Sequence, residues 1–106
     1  MSREKPKPPR HLSKEAKAWW TGVMENFAVD EHLVPTVTAA AESWDRYQEA
    51  RGILSTEGLT IDCRDGKKTH PCVGIERDSR ISYLRAVREL ALERDPPDPR
   101  PRRGVV

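Results

Sequence analysis

The positions of the nine prolines divide this 106-residue chain into segments. Seven prolines lie near the two ends, within residues 6–9 and 96–101, and only Pro35 and Pro71 lie between them. Proline lacks a backbone N–H and clashes with the preceding helical turn, so a helix tolerates it only in its first turn. Long helices are therefore confined to the proline-free stretches of the middle, and the ends are excluded from helix.

The positive charge is concentrated at the same ends. Residues 1–10 contain four basic side chains and one acidic one, and residues 94–106 contain four basic and two acidic ones. The body between them carries eleven basic and fourteen acidic side chains. We therefore expect flexible, basic, proline-rich tails at residues 1–10 and 95–106 around a helical domain of residues 11–94. A polyanion would be met by the tails or by a local patch.

Apolar residues recur at spacings of three and four within the middle stretches, which predicts three amphipathic helices. Ser13 is the expected N-cap of the first helix. The second and longest helix is expected from about Leu33 to Thr56, with Pro35 in or just before its first turn and Gly58 as the residue that stops it.

The third helix is expected to begin at Pro71, with a cap supplied by His70 or Thr69. The apolar stripes expected along the helices are Ala16, Trp19, Trp20, Val23, Met24 and Phe27 in the first, Val37, Ala40, Ala41, Trp44, Tyr47, Arg51 and Leu54 in the second, and Ile75, Ile81, Leu84, Val87, Leu90 and Ala91 in the third.

The stretch DCRDGKKTHPC, residues 62–72, contains both cysteines and one of the three histidines. Structural zinc normally takes four ligands in paired short spacings, and this stretch has no such pair. A cysteine nucleophile needs a positioned base and an oxyanion site, which closeness in sequence to His70 does not supply. Asp65-Gly66 is instead a strong turn signal between two short β-prone segments, Leu59–Ile61 and Lys67–Thr69. The stretch is therefore predicted to be a connector.

These elements predict an all-α fold: a three-helix subunit with a long central helix, a small β-hairpin or loop insertion, and flexible basic tails. No glycine-rich phosphate loop is present. The acidic residues Glu42, Asp45, Glu49 and Glu57 lie where a solvated helix face would place them. We therefore expect a protein that is not an enzyme, with no catalytic residue, metal site or cofactor.

The sequence also indicates where the protein functions. It has no run of about 18 apolar residues, and its N-terminus has no apolar core of the kind found in signal peptides. Two cysteines without an export signal suggest free thiols in a reducing compartment. We expect a soluble intracellular protein without a membrane partner.

Trp19 and Trp20 are adjacent, so one helix cannot bury both against a single narrow partner. A chain this short and charged often completes its burial by self-association. We therefore expect aromatic anchors near a subunit contact, with a monomer core as the alternative for all of them. The candidate interface residues are Trp19, Trp20, Trp44, Tyr47 and Tyr83.

The third helix carries recurring arginines, Arg77, Arg80, Arg85, Arg88 and Arg94, interleaved with acidic residues. This mixture favours salt-bridged solvation or pairing between subunits over a track for phosphates.

Three segments of the chain match, in the same order, a sequence pattern known from other proteins. PPRHLSKEAKAWW (residues 8–20) is a proline-rich lead into a tryptophan-bearing helix with the form PPxHLSxEAKxxW. AAESWDRYQEARGILSTEGLT (residues 40–60) is an alanine-rich helix that ends in a Glu-Gly turn. His70-Pro71 is followed by IERDSRISYLRAVRELAL (residues 75–92). In this order and spacing, from about Pro8 to Leu92, the chain resembles a family of phage terminase small subunits.

The resemblance implies a non-catalytic subunit for DNA packaging in a tailed phage, located in the cytoplasm of the bacterial host. Such subunits assemble into rings, recognise viral double-stranded DNA, and recruit and stimulate the large terminase subunit, which hydrolyses ATP and cuts DNA. In many relatives an HNH-type endonuclease assists cutting.

DNA affinity would come mainly from basic side chains at phosphates, repeated around a ring. The candidate DNA-binding residues are Arg3, Lys5, Lys7, Arg10, Lys14, Lys17, Arg100, Arg102 and Arg103, with Lys67 and Lys68 as weaker candidates. Two other functions stay open: a small helical transcription regulator that binds operator DNA, and a protein-interaction adaptor whose PxxP-like tails dock into other domains.

Overall fold

The structure is a computed structural model that describes residues 6–92 of the chain. It is mostly helical, with one small antiparallel hairpin, as the sequence predicts. The elements in chain order are α1 (Lys14–Asn26), a single 3₁₀ turn (Glu31–Leu33), α2 (Val34–Glu57), β1 (Thr60–Cys63), β2 (Gly66–Thr69) and α3 (Pro71–Leu90).

The helix ends lie close to the positions that the caps predict. Ser13 is the N-cap of α1, and its hydroxyl accepts a hydrogen bond from the Ala16 N–H at 3.1 Å. Pro35 lies in the first turn of α2, where its missing N–H has no helical partner to lose. Gly58 ends α2 with φ 87°, and its N–H donates to the Leu54 carbonyl at 2.8 Å. These three predictions are confirmed.

The connector between α2 and α3 is a two-stranded antiparallel hairpin in which Thr60 pairs with Thr69 and Cys63 with Gly66. Arg64 and Asp65 form the turn, one residue earlier than the Asp-Gly signal suggests. Gly66 then starts β2 with φ 117°, a conformation that favours glycine. All four residues of β2 are exposed. The hairpin therefore lies outside the core.

The core forms where α1 and the segment before it meet α2 and the end of α3. Val37, Ala40 and Ala41 provide the buried face of α2, and Leu12 seals the core just before α1. The small alanines allow close approach of the helices. The buried cluster consists of Leu12, Ala16, Trp20, Val23, Val37, Ala41 and Leu90.

The predicted apolar stripe of α3 is only partly correct: Leu90 is buried and Val87 half-buried, but Ala91 lies just beyond the helix and is exposed. Ile81 and Leu84 are 39% and 51% exposed, whereas Ser79 is buried. The rotation of α3 follows Tyr83 and Leu90, which lie seven residues apart and therefore on one side of the helix, facing the other helices. Ile81 precedes Tyr83 by two residues, which at about 100° per residue turns it to the opposite side. Ile75, also predicted in the stripe, is exposed as well.

Candidate nucleic-acid and subunit interfaces

Four of the predicted DNA-binding residues lie in the described part of the chain. Lys7, Arg10 and Lys14 are exposed, and Lys17 is half-buried. Lys14 and Lys17 are three residues apart, on the same side of the first turns of α1. These four cations thus lie on one short stretch, residues 7–17, which leads into α1 and includes its first turn. We call this stretch the basic segment. The weaker candidates Lys67 and Lys68 lie exposed on β2, and the remaining candidates, Arg3, Lys5, Arg100, Arg102 and Arg103, lie outside the described residues.

Asp45 on α2 anchors this basic segment to the body of the protein. The Ser13 N–H donates to Asp45 Oδ2 at 2.8 Å, and the Ser13 hydroxyl donates to Oδ1 of the same carboxylate. A negative charge at this end of α1 also interacts favourably with the helix dipole. A second contact lies beside it: His11 Nε2, two residues before Ser13, is 2.6 Å from Oε2 of Glu42, three residues before Asp45. The basic segment thus enters α1 in a fixed direction.

The prediction that the acidic residues of α2 form an ordinary solvated face is therefore only partly correct. Asp45 is half-buried and hydrogen-bonded to Ser13, and Glu42 is exposed but bonded to His11. Glu57 Oε1 lies 3.0 Å from Nε2 of the buried His70. No local signal in the sequence identifies these partners, because the pairs are separated by 13 to 32 residues.

His70 is the N-cap of α3. It is one of the two residues, with Thr69, that the sequence predicts for this role. Its Nδ1 accepts a hydrogen bond from the Cys72 N–H at 3.0 Å. With Nδ1 acting as acceptor, the proton of a neutral ring is on Nε2, which then donates to Glu57. The histidine of the stretch DCRDGKKTHPC therefore joins the end of α2 to the start of α3.

Both cysteines of that stretch are free thiols, as predicted. Cys63 Sγ donates to the Gly66 carbonyl at 2.9 Å across the hairpin turn. Within residues 6–92, no group of three or more His, Cys, Asp and Glu side chains is arranged to hold a metal ion.

Four of the predicted interface aromatics form one cluster, which we call the aromatic cluster: Trp19, Trp44, Tyr47 and Tyr83. The ring centroids of Trp44 and Tyr83 are 5.4 Å apart, and those of Trp19 and Tyr83 are 5.9 Å apart. Tyr47 lies 6.0 Å from Trp44 and is covered by the Arg51 guanidinium at 5.5 Å. The cluster therefore connects all three helices, while each of its four residues keeps part of its surface in solvent. Desolvation by burial raises the pKa of Tyr83 above its usual 10.0.

Trp20 has a different environment from its neighbour. It is 2% exposed, belongs to the buried core, and its indole N–H donates to Thr38 Oγ1 at 3.1 Å. In this conformation Trp20 presents almost no surface to a second subunit, because its own chain covers it. Of the adjacent tryptophans, Trp19 is the one with exposed surface. A subunit contact at the aromatic cluster stays a prediction.

The arginines of α3 are only partly paired. Arg77 Nε lies 3.2 Å from Asp78 Oδ1, and Arg80 Nε lies 3.2 Å from Glu76 Oε1. Within the described residues, Arg85 and Arg88 form no ion pair. The sequence interpretation of salt-bridged solvation therefore applies to two of the four described arginines.

No protein family, no curated protein and no solved structure matches this chain. Among the helices of residues 6–92, none has the length and hydropathy that crossing a membrane requires.

Proposed function

We propose that this chain is the small, non-catalytic subunit of a phage terminase. In this proposal several copies close into a ring, bind double-stranded viral DNA, and recruit and stimulate the large terminase subunit in the cytoplasm of the bacterial host. The observation that carries the proposal is the ordered resemblance from Pro8 to Leu92. An HNH-type endonuclease would be a further partner.

The placement of the three similar segments supports the proposal. Residues 8–20 form the lead into α1, residues 40–60 cover most of α2 and its Gly58 stop, and residues 70–92 cover α3. Each segment thus corresponds to a structural unit with its own cap or stop signal.

DNA binding in this proposal begins at the basic segment. Lys7, Arg10 and Lys14 are exposed, and phosphates attract such side chains without regard to sequence. Because the Ser13–Asp45 hydrogen bonds fix the direction of this segment, every copy in a ring would present it in the same way. Repeated weak contacts then add up to useful affinity through multivalency.

Fluorescence anisotropy with a duplex DNA, measured over a range of salt concentrations, tests the DNA-binding part. Replacing Lys7, Arg10 and Lys14 by glutamine should weaken binding and reduce the salt dependence, by up to about 0.9 in the logarithmic slope per lost phosphate contact. The comparison variant replaces Arg64 and the weaker candidates Lys67 and Lys68, all on the hairpin, by glutamine, which lowers the charge by the same amount. Equal losses in both variants, or no binding by the native chain, would contradict the proposed contact.

The terminase assignment needs a separate test with its partner. The chain should co-purify with the large terminase subunit encoded in the same genome and increase its ATPase rate. Specific DNA binding without any effect on that ATPase would favour the transcription regulator. Absence of salt-sensitive DNA affinity, with retained binding to another protein, would favour the adaptor.

A further inference from the structure

The outer side of α3 combines arginines with exposed apolar side chains. Arg77, Arg80, Ile81, Leu84 and Arg88 recur at helical spacing, and we call them the arginine strip. At about 100° per residue they fall within about 100° of one another around the helix. Asp78 and Glu89 lie beyond one edge of this sector and Glu76 beyond the other. The strip is therefore positive throughout its width.

The existing ion pairs leave the strip available. The side chains of Arg77 and Arg80 remain 60% and 46% exposed although each has an acidic neighbour. Exposed pairs of this kind contribute little stability and exchange readily with other partners. Arg88 forms no ion pair within the described residues, and Ile81 and Leu84 are two of the large apolar side chains that the structure leaves exposed.

A groove of opposite character lies between α2 and α3 on another side of the chain. It has a volume of about 600 Å³, and we call it the acidic groove. Four carboxylates line it, from Glu42, Asp45, Glu49 and Asp78, against one arginine. The formal charge of the groove is thus −3 with His11 neutral, and that of the strip is +3. Ile75, another exposed apolar residue, also lines the groove.

The two surfaces also match in length. The strip runs from Arg77 to Arg88, about 16 Å along a convex helix, and the groove runs along residues 39–49 of α2, about 15 Å. A helix with side chains at spacings of three, four and seven fits a groove between two other helices. Arginine together with exposed aliphatic residues is typical of protein interfaces, whereas phosphates would offer Ile81 and Leu84 no apolar partner.

We infer that the arginine strip of one copy docks into the acidic groove of a second copy. On α3 the strip and the groove residues are centred about 155° apart, so each chain carries two different, complementary surfaces. Such a contact is head-to-tail, and it continues from copy to copy until the rotation closes a ring. The inference rests on the self-association in the proposed function and not on DNA binding.

A charge exchange tests this contact without DNA present. The strip variant carries Arg77→Glu and Arg88→Glu, and the groove variant carries Glu49→Arg and Asp78→Arg. Each variant alone should lose self-association and fall towards the 12.1 kDa mass of the single chain in sedimentation analysis. The variant with all four substitutions has the native net charge and should regain the native assembly mass, because its negative strip meets a positive groove.

Circular dichroism and thermal unfolding establish that all three variants are folded. A monomeric native chain, either double variant at native mass, or a four-fold variant that stays monomeric would overturn the inference. DNA affinity is measured in parallel. If the strip variant keeps the native mass but loses DNA binding, the strip faces DNA, and the head-to-tail contact is wrong while the proposed function survives.

Discussion

At the residue scale, Asp45 has the most consequential set of contacts in the described chain. Its carboxylate accepts from both the N–H and the hydroxyl of Ser13, and that hydroxyl also accepts from Ala16. The start of α1 and the middle of α2 are joined through this one side chain. Its neighbour Glu42 forms a similar contact with His11, but both partners of that pair are at least half exposed.

The two carboxylates should therefore differ in their effect on stability. Asp45→Ala leaves the Ser13 N–H without its acceptor and should lower the free energy of unfolding by about 2 kcal/mol. Glu42→Ala removes only an exposed pair and should cost about 0.5 kcal/mol or less. Urea unfolding of both variants measures the difference. Equal losses would mean that Asp45 does not hold α1 in place.

Tyr83 provides a prediction for alkaline pH. Because its pKa is raised by burial, the fold favours the neutral phenol over the phenolate. A group with a raised pKa contributes its full stability below the unfolded pKa, here 10.0, and loses it as the pH rises through the folded value. The native chain should therefore lose stability above pH 10 by more than Tyr83→Phe does.

Parallel urea titrations of the native chain and Tyr83→Phe, below and above pH 10, measure this effect. The other titrating groups are common to both proteins, so their contributions cancel in the comparison. Identical losses of stability in the two proteins would contradict a desolvated Tyr83.

At the element scale, the glycines illustrate how differently one residue type acts within a single helix and at its end. Gly58 stops α2 at φ 87° and ψ 175°, a region that is essentially restricted to glycine. Gly52 lies inside the same helix, and an added Cβ there would meet nothing within 4 Å. Gly58 directs the chain into the hairpin, whereas Gly52 only adds freedom to the unfolded chain.

Alanine at these positions should change stability in opposite directions. Gly58→Ala should destabilise the protein by about 1–3 kcal/mol, because alanine is strained at this backbone conformation. Gly52→Ala should stabilise it by about 0.5–1 kcal/mol through helix propensity. Thermal unfolding followed by circular dichroism compares the two. A stabilising Gly58→Ala would mean that α2 continues past its observed end.

At the scale of the whole molecule, the structure has a helical body with two projecting features. Leu12, Trp20, Val37 and Leu90 bring together residues from before α1, from α1, from α2 and from α3. The hairpin and the first described residues lie outside this core. Towards the N-terminus, the packed body therefore extends to Leu12, two residues before α1 begins at Lys14.

Two N-terminal deletions should separate the body from the basic segment. Deleting residues 1–7 removes Arg3, Lys5 and Lys7 but keeps Leu12 and Ser13, and should weaken DNA binding in low salt. Deleting residues 1–13 also removes Leu12 and the Ser13 cap, and should cost about 3–5 kcal/mol. Such a loss is a large part of the stability of a small domain.

Calorimetry gives the stability of both proteins, and DNA anisotropy gives the affinity of the shorter deletion. If removal of residues 1–7 leaves DNA binding unchanged, Arg3, Lys5 and Lys7 are not part of the contact. If removal of residues 1–13 leaves the stability unchanged, Leu12 does not seal the core.

The sequence alone determined where α1 and α3 begin and where α2 begins and ends. Pro35, Pro71, Ser13 and Gly58 act on the backbone within one helical turn, so their effect does not depend on what the rest of the chain does. Local signals also predict the hairpin, although its turn lies one residue earlier than Asp65-Gly66 suggests. These local signals predict a three-helix outline with a long central helix.

The tertiary structure decided the rotation of α3, which of the two adjacent tryptophans is buried, and which partners the carboxylates of α2 find. Trp20 rather than Trp19 is buried, Ile81 and Leu84 face outward, and Asp45 and Glu57 find partners on other segments. A hydrophobic pattern in the sequence fits several slightly different rotations of a helix about its axis. The rotation of α3 is fixed only when Tyr83 and Leu90 pack together with α1 and α2. Contacts between residues far apart in sequence select one of these rotations, and no local pattern encodes such contacts.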